Sequence, residues 1–351
     1  MSHQFLSLGF LILAYGISAL LCRRMIAVAV LDTPGHRSSH STPTPKGGGV
    51  GVVGAFLLLF FPMRHMCGLA AFTPDALALW VAVALLAALS WLDDVYQWRP
   101  TIKLAAQIVA ALLVAAATLP LGSLSSSTMV LVAFVLAVAW TVFVTNAVNF
   151  MDGLNGLVSG SLCLTFLCLA LPFWPSDTVE LRLSAALLAF GLLAFLPLNF
   201  SRARIFLGDV GSQPCGLLVA AAALFLATPD IAPKIPDIHA GLLVPCLTAG
   251  LLYDVAFTLI RRGCMGEKLL QAHRGHLYQI AFRSGVPMPV VSLLHWGFVV
   301  WGGAAYALFS LPTREETLNG DLLTVALVGV PQLLWTAFVV LRVQRHPVGR
   351  W

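Results

Sequence analysis

Five short stretches of this chain carry side chains that could do chemistry. WLDDVYQWRPTIKLAAQ (91–107) closes an apolar run with two adjacent aspartates, Asp93 and Asp94, then adds Lys103 and Gln107. NAVNFMDGLNGL (146–157) sets Asn146, Asn149, Asp152 and Asn155 at every third position, with Gly153 and Gly156 among them. SRARIFLGDVGSQPCG (201–216) holds an acidic turn, Gly208 to Gly211, around Asp209. DTPGHRSSHSTPTPKGGGVG (32–51) joins Arg37, His40 and Lys46 to three prolines and a glycine triplet. RRGCMGEKLLQAHRGHLYQ (261–279) collects Arg261, Arg262, Lys268, His273, Arg274 and His276.

Each stretch suggests a chemistry, and each has a blander reading. Adjacent helical residues point about 100° apart, so Asp93 and Asp94 are not expected to share one job. Residues three apart step back by about 60°, so Asn149 and Asp152 share a face while Asn146 and Asn155 diverge. Amides and a carboxylate at a helix end suit a hydrogen-bonding heterocycle; the blander reading is interhelical glue. Asp209 suits a metal carboxylate beside a phosphate, because Mg²⁺ takes oxygen ligands, often one or two carboxylates plus phosphates. The basic side chains suit phosphate or anionic lipid headgroups. The alternatives are a solvated basic loop for 32–51 and a snorkelling lysine for Lys103. Asp254 lies inside an apolar span and is a site candidate on that ground. A basic residue of the following loop is its expected partner, which would make it structural.

The elements that must position these groups are membrane spans. Of 351 residues 59% are hydrophobic and 10% charged, against about a quarter charged in soluble chains. That excludes a soluble enzyme and gives a polytopic, all-helical membrane protein. Eleven spans are expected, or ten, at about 4–22, 47–63, 76–92, 101–119, 127–145, 156–172, 180–198, 211–227, 239–260, 287–309 and 321–341. MSHQFLSLGFLILAYGISALLCRR (1–24) lacks a basic n-region and a cleavage site, so it reads as the first span and not as a signal peptide. Alternation puts sixteen of the twenty basic residues on one side, leaving Arg64, Arg182, Lys234 and Arg314 on the other. The basic side is expected to be cytoplasmic, with the N-terminus outside and the C-terminus inside. All five motif stretches fall on it, in loops near 23–46, 93–100, 146–155, 199–210 and 261–286. The chain reads as one domain, 1–351, without internal repeats. Its seven cysteines show no metal spacing and behave as small hydrophobes. Carboxylates, basic groups and an amide-rich corner on one membrane face suit a lipid phosphate reacting with a cytosolic nucleotide.

Taken in order, DxPxxRSxHxxPxPxGGG, LDDxxxxxxxxK, NxxNxxDGLNGL, FLGDVGS and RR…AHRGH resemble the polyprenyl-phosphate N-acetylhexosamine-1-phosphate transferases of glycosyltransferase family 4, over about 32–285. The resemblance implies transfer of a sugar 1-phosphate from a UDP-sugar to undecaprenyl phosphate, with release of UMP and a need for Mg²⁺, or Mn²⁺ in its place. Asp209 matches the family's metal aspartate and Phe206 the aromatic that stacks on uracil. Asn149, Asp152, Gly153, Leu154 and Asn155 match the nucleoside corner. Asp93 and Asp94 match the catalytic pair, and Lys103 the lysine after it. Arg37, Lys46, Lys103, His273, Arg274 and His276 are candidates for phosphate and sugar contacts.

Two departures narrow the branch. Asn155 stands where the peptidoglycan members carry a second acid, and HLYQ (276–279) stands where many members carry a histidine string. The variant is similar to members that prime O-antigen, whose donors include N-acetylated 6-deoxy sugars such as FucNAc and QuiNAc, and GlcNAc. The implied place is the bacterial inner membrane. Lipid bilayer, lipid phosphate and UDP-sugar are the expected partners, nucleic acid is not, and a homodimer is compatible. The rival classes are a secondary transporter or lipid flippase, which bind near the midplane through broken helices, and a non-catalytic scaffold.

Overall fold

A computed structural model describes residues 2–32, 42–119, 127–171, 179–228, 238–269, 271, 273–310 and 318–349. Arg37 and His40 lie outside these residues. Among them the architecture is all-helical apart from two two-residue strands. The order is α1 (Ser2–Val28), β1 (Leu31–Asp32), β2 (Thr44–Pro45), α2 (Gly49–Met66), α3 (Pro74–Tyr96), α4 (Pro100–Thr118), α5 (Ser127–Met151), α6 (Leu157–Leu169), α7 (Val179–Asn199), α8 (Asp209–Ala227), α9 (Ile238–Leu247), α10 (Ala249–Cys264), α11 (Leu277–Arg283), α12 (Met288–Phe309) and α13 (Leu318–Arg345).

Nine of the described helices are long and apolar enough to cross a bilayer, and α9 with α10 makes a tenth if the bent pair is one span. Two of the eleven expected spans therefore differ. The sixth is the 13-residue α6, which at 1.5 Å per residue falls short of a hydrocarbon core about 30 Å thick. The ninth breaks at Thr248 with a bend of 78°. Pro245 removes an N–H just before that break. Gly302 of α12 packs against it so closely that a Cβ there would lie 1.9 Å from the Cys246 carbonyl oxygen. Two helix ends also move. α1 runs on to Val28, so Arg23 and Arg24 sit on the helix, and α5 runs on to Met151, so Asn146 and Asn149 do too.

The core helix is α8. Of its spanning window 83% is buried, against 22% for α1 and α5. It packs against α2, α3, α4, α5 and α9. A helix apolar on all sides belongs inside, and small residues let membrane helices approach closely. Gly216 shows this: a Cβ there would lie 2.9 Å from Thr145 Cα on α5.

The glycine triplet makes the other close approach. Phe206 N donates to Pro45 O at 2.8 Å, Gly48 N to Phe206 O at 2.9 Å, and Gly49 N to Leu207 O at 2.8 Å. Lys46 and Phe206 form a parallel bridge. A Cβ on Gly49 would lie 2.2 Å from Gly211 backbone. The first loop is thereby fastened to the turn that starts α8.

Candidate active site

The site is built on that turn. Gly208 has φ 76°, and a Cβ there would meet the Asp94 carboxylate at 2.9 Å. Asp209 opens α8. Its Oδ1 accepts from Asn149 Nδ2 at 3.0 Å, and its Oδ2 accepts from Lys103 Nζ at 3.0 Å and Gln213 Nε2 at 3.1 Å. Asn149, in the last turns of α5, donates as well to Ser212 Oγ at 2.9 Å. Behind it Asn146, Gln107 and Gln213 exchange amide hydrogen bonds of 2.6 to 3.3 Å. Buried amides need partners. The two asparagines thus divide the readings, Asn146 tying helices and Asn149 facing the site.

The aspartate pair also divides, as the 100° step requires. Asp93 accepts from Trp98 N at 2.8 Å and forms an ion pair with Lys103. Asp94 accepts from Val210 N at 3.2 Å and stands 3.5 Å from Lys46 Nζ. α3 ends just beyond them at Gln97, whose left-handed φ of 52° turns the chain into α4. Lys103 thus joins α3 to α8, and Lys46 joins the first loop to α3.

Asp152 and Asn155 sit in the turn after α5. Burial pushes the Asp152 carboxyl well above the usual range, with further upward pressure from Asp209 and Asp94. Asn155 donates to Ser201 O at 3.2 Å. A Cβ on Gly153 would lie 2.2 Å from the Tyr278 hydroxyl, which itself donates to Phe150 O at 2.9 Å. Asn199 holds this turn from α7: its Oδ1 accepts from Gly156 N at 2.7 Å and Ser159 Oγ at 2.9 Å.

Asp93, Asp94, Lys46, Lys103, Asn149, Asp152, Gly153, Leu154, Asn155, Phe206 and Asp209 line one cleft of about 430 Å³. Asp32, Gln97, Trp98, Asn199 and Gln279 line it too and were not among the sequence candidates. Asp32 opens the first motif stretch, and Gln279 is one of the two departures in HLYQ, so both had a signal. Asn199, a lone polar residue ending an apolar run, had the faintest.

His273, Arg274 and His276 do not line that cleft. His273 and Arg274 line a second cavity of about 290 Å³. His276 is buried, with Nδ1 3.2 Å from Asp254 Oδ1. Asp254 also accepts from Leu277 N and Tyr278 N, both at 2.9 Å. It therefore caps α11, a structural part as expected, with backbone amides beside the loop histidine as its partners. Burial holds Tyr278 above the usual phenol range. Burial, then His276, Arg262 and Arg261, lowers the His273 imidazole to about 4.

Among the described residues no three His, Cys, Asp or Glu side chains converge as a metal group. The cleft nonetheless fits a hard divalent cation completed by phosphate oxygens. It brings the carboxylates of Asp94, Asp152 and Asp209 within electrostatic reach of one another, and Mg²⁺ needs only one or two of them.

Fold and site together define a polytopic membrane protein with a charged, amide-lined cleft at one end of its bundle. The family model for Glycosyl transferase family 4 matches residues 76–227. The decaprenyl-phosphate N-acetylglucosaminephosphotransferase of Mycobacterium tuberculosis is 30% identical, over 92% of this chain and 85% of its own. Its counterpart from Mycobacterium leprae is 28% identical, over 92% and 87%. A probable undecaprenyl-phosphate N-acetylglucosaminyl 1-phosphate transferase of Bacillus subtilis is 25% identical, over 81% and 78%. The chain belongs to glycosyltransferase family 4.

Proposed function

We propose that the chain transfers an N-acetylhexosamine or N-acetyl-6-deoxyhexosamine 1-phosphate from a UDP-sugar to undecaprenyl phosphate, releasing UMP, as the first membrane step of O-antigen or related polysaccharide synthesis. The observation that carries this reading is the gathering in one cleft of Asp93 and Asp209, both paired with Lys103, and of Asp94, paired with Lys46, next to the Asn149–Asn155 corner. The relatives' names, which specify polyprenyl phosphates and N-acetylglucosamine, support it.

In this mechanism an oxygen of the lipid phosphate attacks the β-phosphorus of the donor, and the bond to the α-phosphate bridging oxygen breaks. The sugar–oxygen bond is untouched, so the anomeric configuration is retained. Phosphoryl transfer rests on positioning and charge stabilisation. A phosphate monoester is largely dianionic at neutral pH, so no strong base is needed. Lys46 and Lys103 offset charge on the phosphates. Asp93 is held by Trp98 N and Lys103 and Asp94 by Val210 N and Lys46, and one carboxylate of this pair orients the acceptor. Asn149, Asp152 and Asn155 read the base, and Phe206 stacks on it. Asp209, with Asp94, would hold Mg²⁺, which supplies positive charge against the pyrophosphate when bound.

The cleft end is assigned to the cytoplasm of a bacterial inner membrane, with the N-terminus outside. A transporter would be expected to gather its polar groups at a broken helix near the midplane. Thr248, at the break here, does not line the cleft.

The test is UMP release by purified protein with undecaprenyl phosphate and a panel of UDP-GlcNAc, UDP-FucNAc and UDP-QuiNAc, with Mg²⁺ or chelator, beside Asp209→Ala. Lipid- and Mg²⁺-dependent UMP from one donor, lost in the variant, is expected. UMP release indifferent to the lipid, or equal in the variant, would refute the reading.

A further inference from the structure

Behind Asp209 a row of side-chain amides crosses three helices, and each amide in it has only one workable orientation. Asn146 on α5 donates from Nδ2 to Val142 O at 2.8 Å and to Gln107 Oε1 at 2.6 Å. Gln107 on α4 donates from Nε2 to Asn146 Oδ1 at 3.3 Å and to Gln213 Oε1 at 3.0 Å. Gln213 on α8 donates from Nε2 to Asp209 Oδ2 at 3.1 Å. The row ends on a backbone carbonyl at one side and on a carboxylate at the other. A carbonyl and an ionised carboxylate are acceptors only. Turning any one amide over would therefore set oxygen against oxygen or nitrogen against nitrogen.

Interhelical glue accounts for only part of this row. The Asn146–Gln107 pair alone joins α4 to α5. Gln213 carries the row on to α8, and its far end is the Asp209 carboxylate. Gln107 and Gln213 are buried and neither lines the cleft, so they act on it only through Asp209. A carboxylate has about four lone-pair directions, two on each oxygen. On Asp209, Oδ2 accepts from Lys103 Nζ and Gln213 Nε2, and Oδ1 accepts from Asn149 Nδ2. Lys103 and Gln107 stand four apart on α4, on one face of that helix. That face thus supplies Oδ2 with one donor directly and fixes the second through Gln213. Both directions on Oδ2 are taken, and the direction left open is on Oδ1.

We propose that Gln213, oriented by Gln107, is a positioning residue of this site. It fills Oδ2 of Asp209 and leaves Oδ1 as the oxygen that takes a divalent cation. This rests on Asp209 being the metal carboxylate of the transferase reading. Outer hydrogen bonds hold a ligating carboxylate in place, and losing one costs about 10- to 100-fold in metal affinity or activity. Gln107 reaches Asp209 only through Gln213, so its effect disappears once Gln213 is replaced.

The test follows the thermal midpoint of the full chain in detergent as Mg²⁺ alone is added, beside UMP release. Gln107→Met and Gln213→Met keep the size of the side chain and remove its hydrogen bonds. Each is expected to raise about tenfold the Mg²⁺ concentration that gives half of the midpoint rise. Each is also expected to lower kcat about tenfold, with KM for the UDP-sugar within about twofold. The double variant is expected to match Gln213→Met in both. The midpoint before Mg²⁺ falls in the variants on any account, because buried amides lose partners. The Mg²⁺ titration shifts only if the row serves Asp209. An unshifted titration in the single variants, no Mg²⁺-dependent rise in wild type, or a double variant whose loss is the product of the two single losses overturns the proposal. Should Gln107→Met not fold, Gln213→Met decides by the same shift. Wild type that responds to Mg²⁺ but releases no UMP would sink the transferase reading, and the titration would still decide the role of Gln213.

Discussion

Lys103 stands between Asp93 and Asp209, residues from the end of α3 and the start of α8. A cation held there keeps two carboxylates together and, in the mechanism we propose, faces incoming phosphates. Lys103→Ala is expected to lower kcat/KM by about 10² or more, the scale of removing one preorganised charge-stabilising group, and titration of UDP-sugar and lipid in a UMP assay checks it. His273 makes a different prediction. Its folded pKa is about 4, below the usual 6.5. Between those values the unfolded chain binds the extra proton, so this residue's contribution to stability is present above 6.5 and is lost as pH falls through 4. His273→Gln should flatten the melting midpoint against pH over that window, read in detergent at constant salt.

At the scale of elements, much of the site was legible because residue type and spacing carry the chemistry. Asp93, Asp94, Asn149 and Asp209 need no fold to be noticed, and the split of Asp93 from Asp94 followed from helix geometry alone. What spacing does not convey is which way a short element turns. α11 has seven residues, and its rotation is set by Asp254 taking its first amides. That contact buries His276 and sends Tyr278 towards Gly153, and His273 and Arg274 line a cavity that shares no residue with the cleft. The broken ninth span was hidden for a related reason, since apolar composition is the same on both sides of Thr248. The packing of α11 on the turn after α5 can be tested. Gly153→Ala would put a methyl group 2.2 Å from the Tyr278 hydroxyl, and is expected to raise KM for the UDP-sugar and lower the melting midpoint. Adding Tyr278→Phe removes the clashing oxygen and should restore a large part of both. A double variant no better than Gly153→Ala alone would mean that the turn needs glycine for another reason.

At the scale of the molecule, the orientation we propose, with α1 starting outside and α13 ending inside, requires the short α6 and the bent α9–α10 pair each to cross the membrane beside the nine long helices. Single cysteines in a cysteine-free background, placed at Ser127 and His346, are expected to react with a membrane-impermeant maleimide from opposite sides of the membrane, His346 only after permeabilisation. Labelling of both from the same side would invert or break the topology. The positive-inside argument depends on parity: a sixth helix that turned back instead of crossing would move every later loop to the other side.

The burial of α8 has one more consequence. Asp209 is carried by a helix whose spanning window is 83% buried, while the windows of α1, α5 and α13 are only 22 to 28% buried. A bilayer thicker or thinner than the protein's apolar belt is met by tilting of the helices that touch lipid. The outer helices can take up that tilt while α8 stays locked among its neighbours, so the depth of the reactive end is decoupled from the hydrophobic thickness around it. Turnover in vesicles of graded acyl-chain length should therefore vary little. A steep dependence would mean that α8 is dragged along with its lipid-facing neighbours.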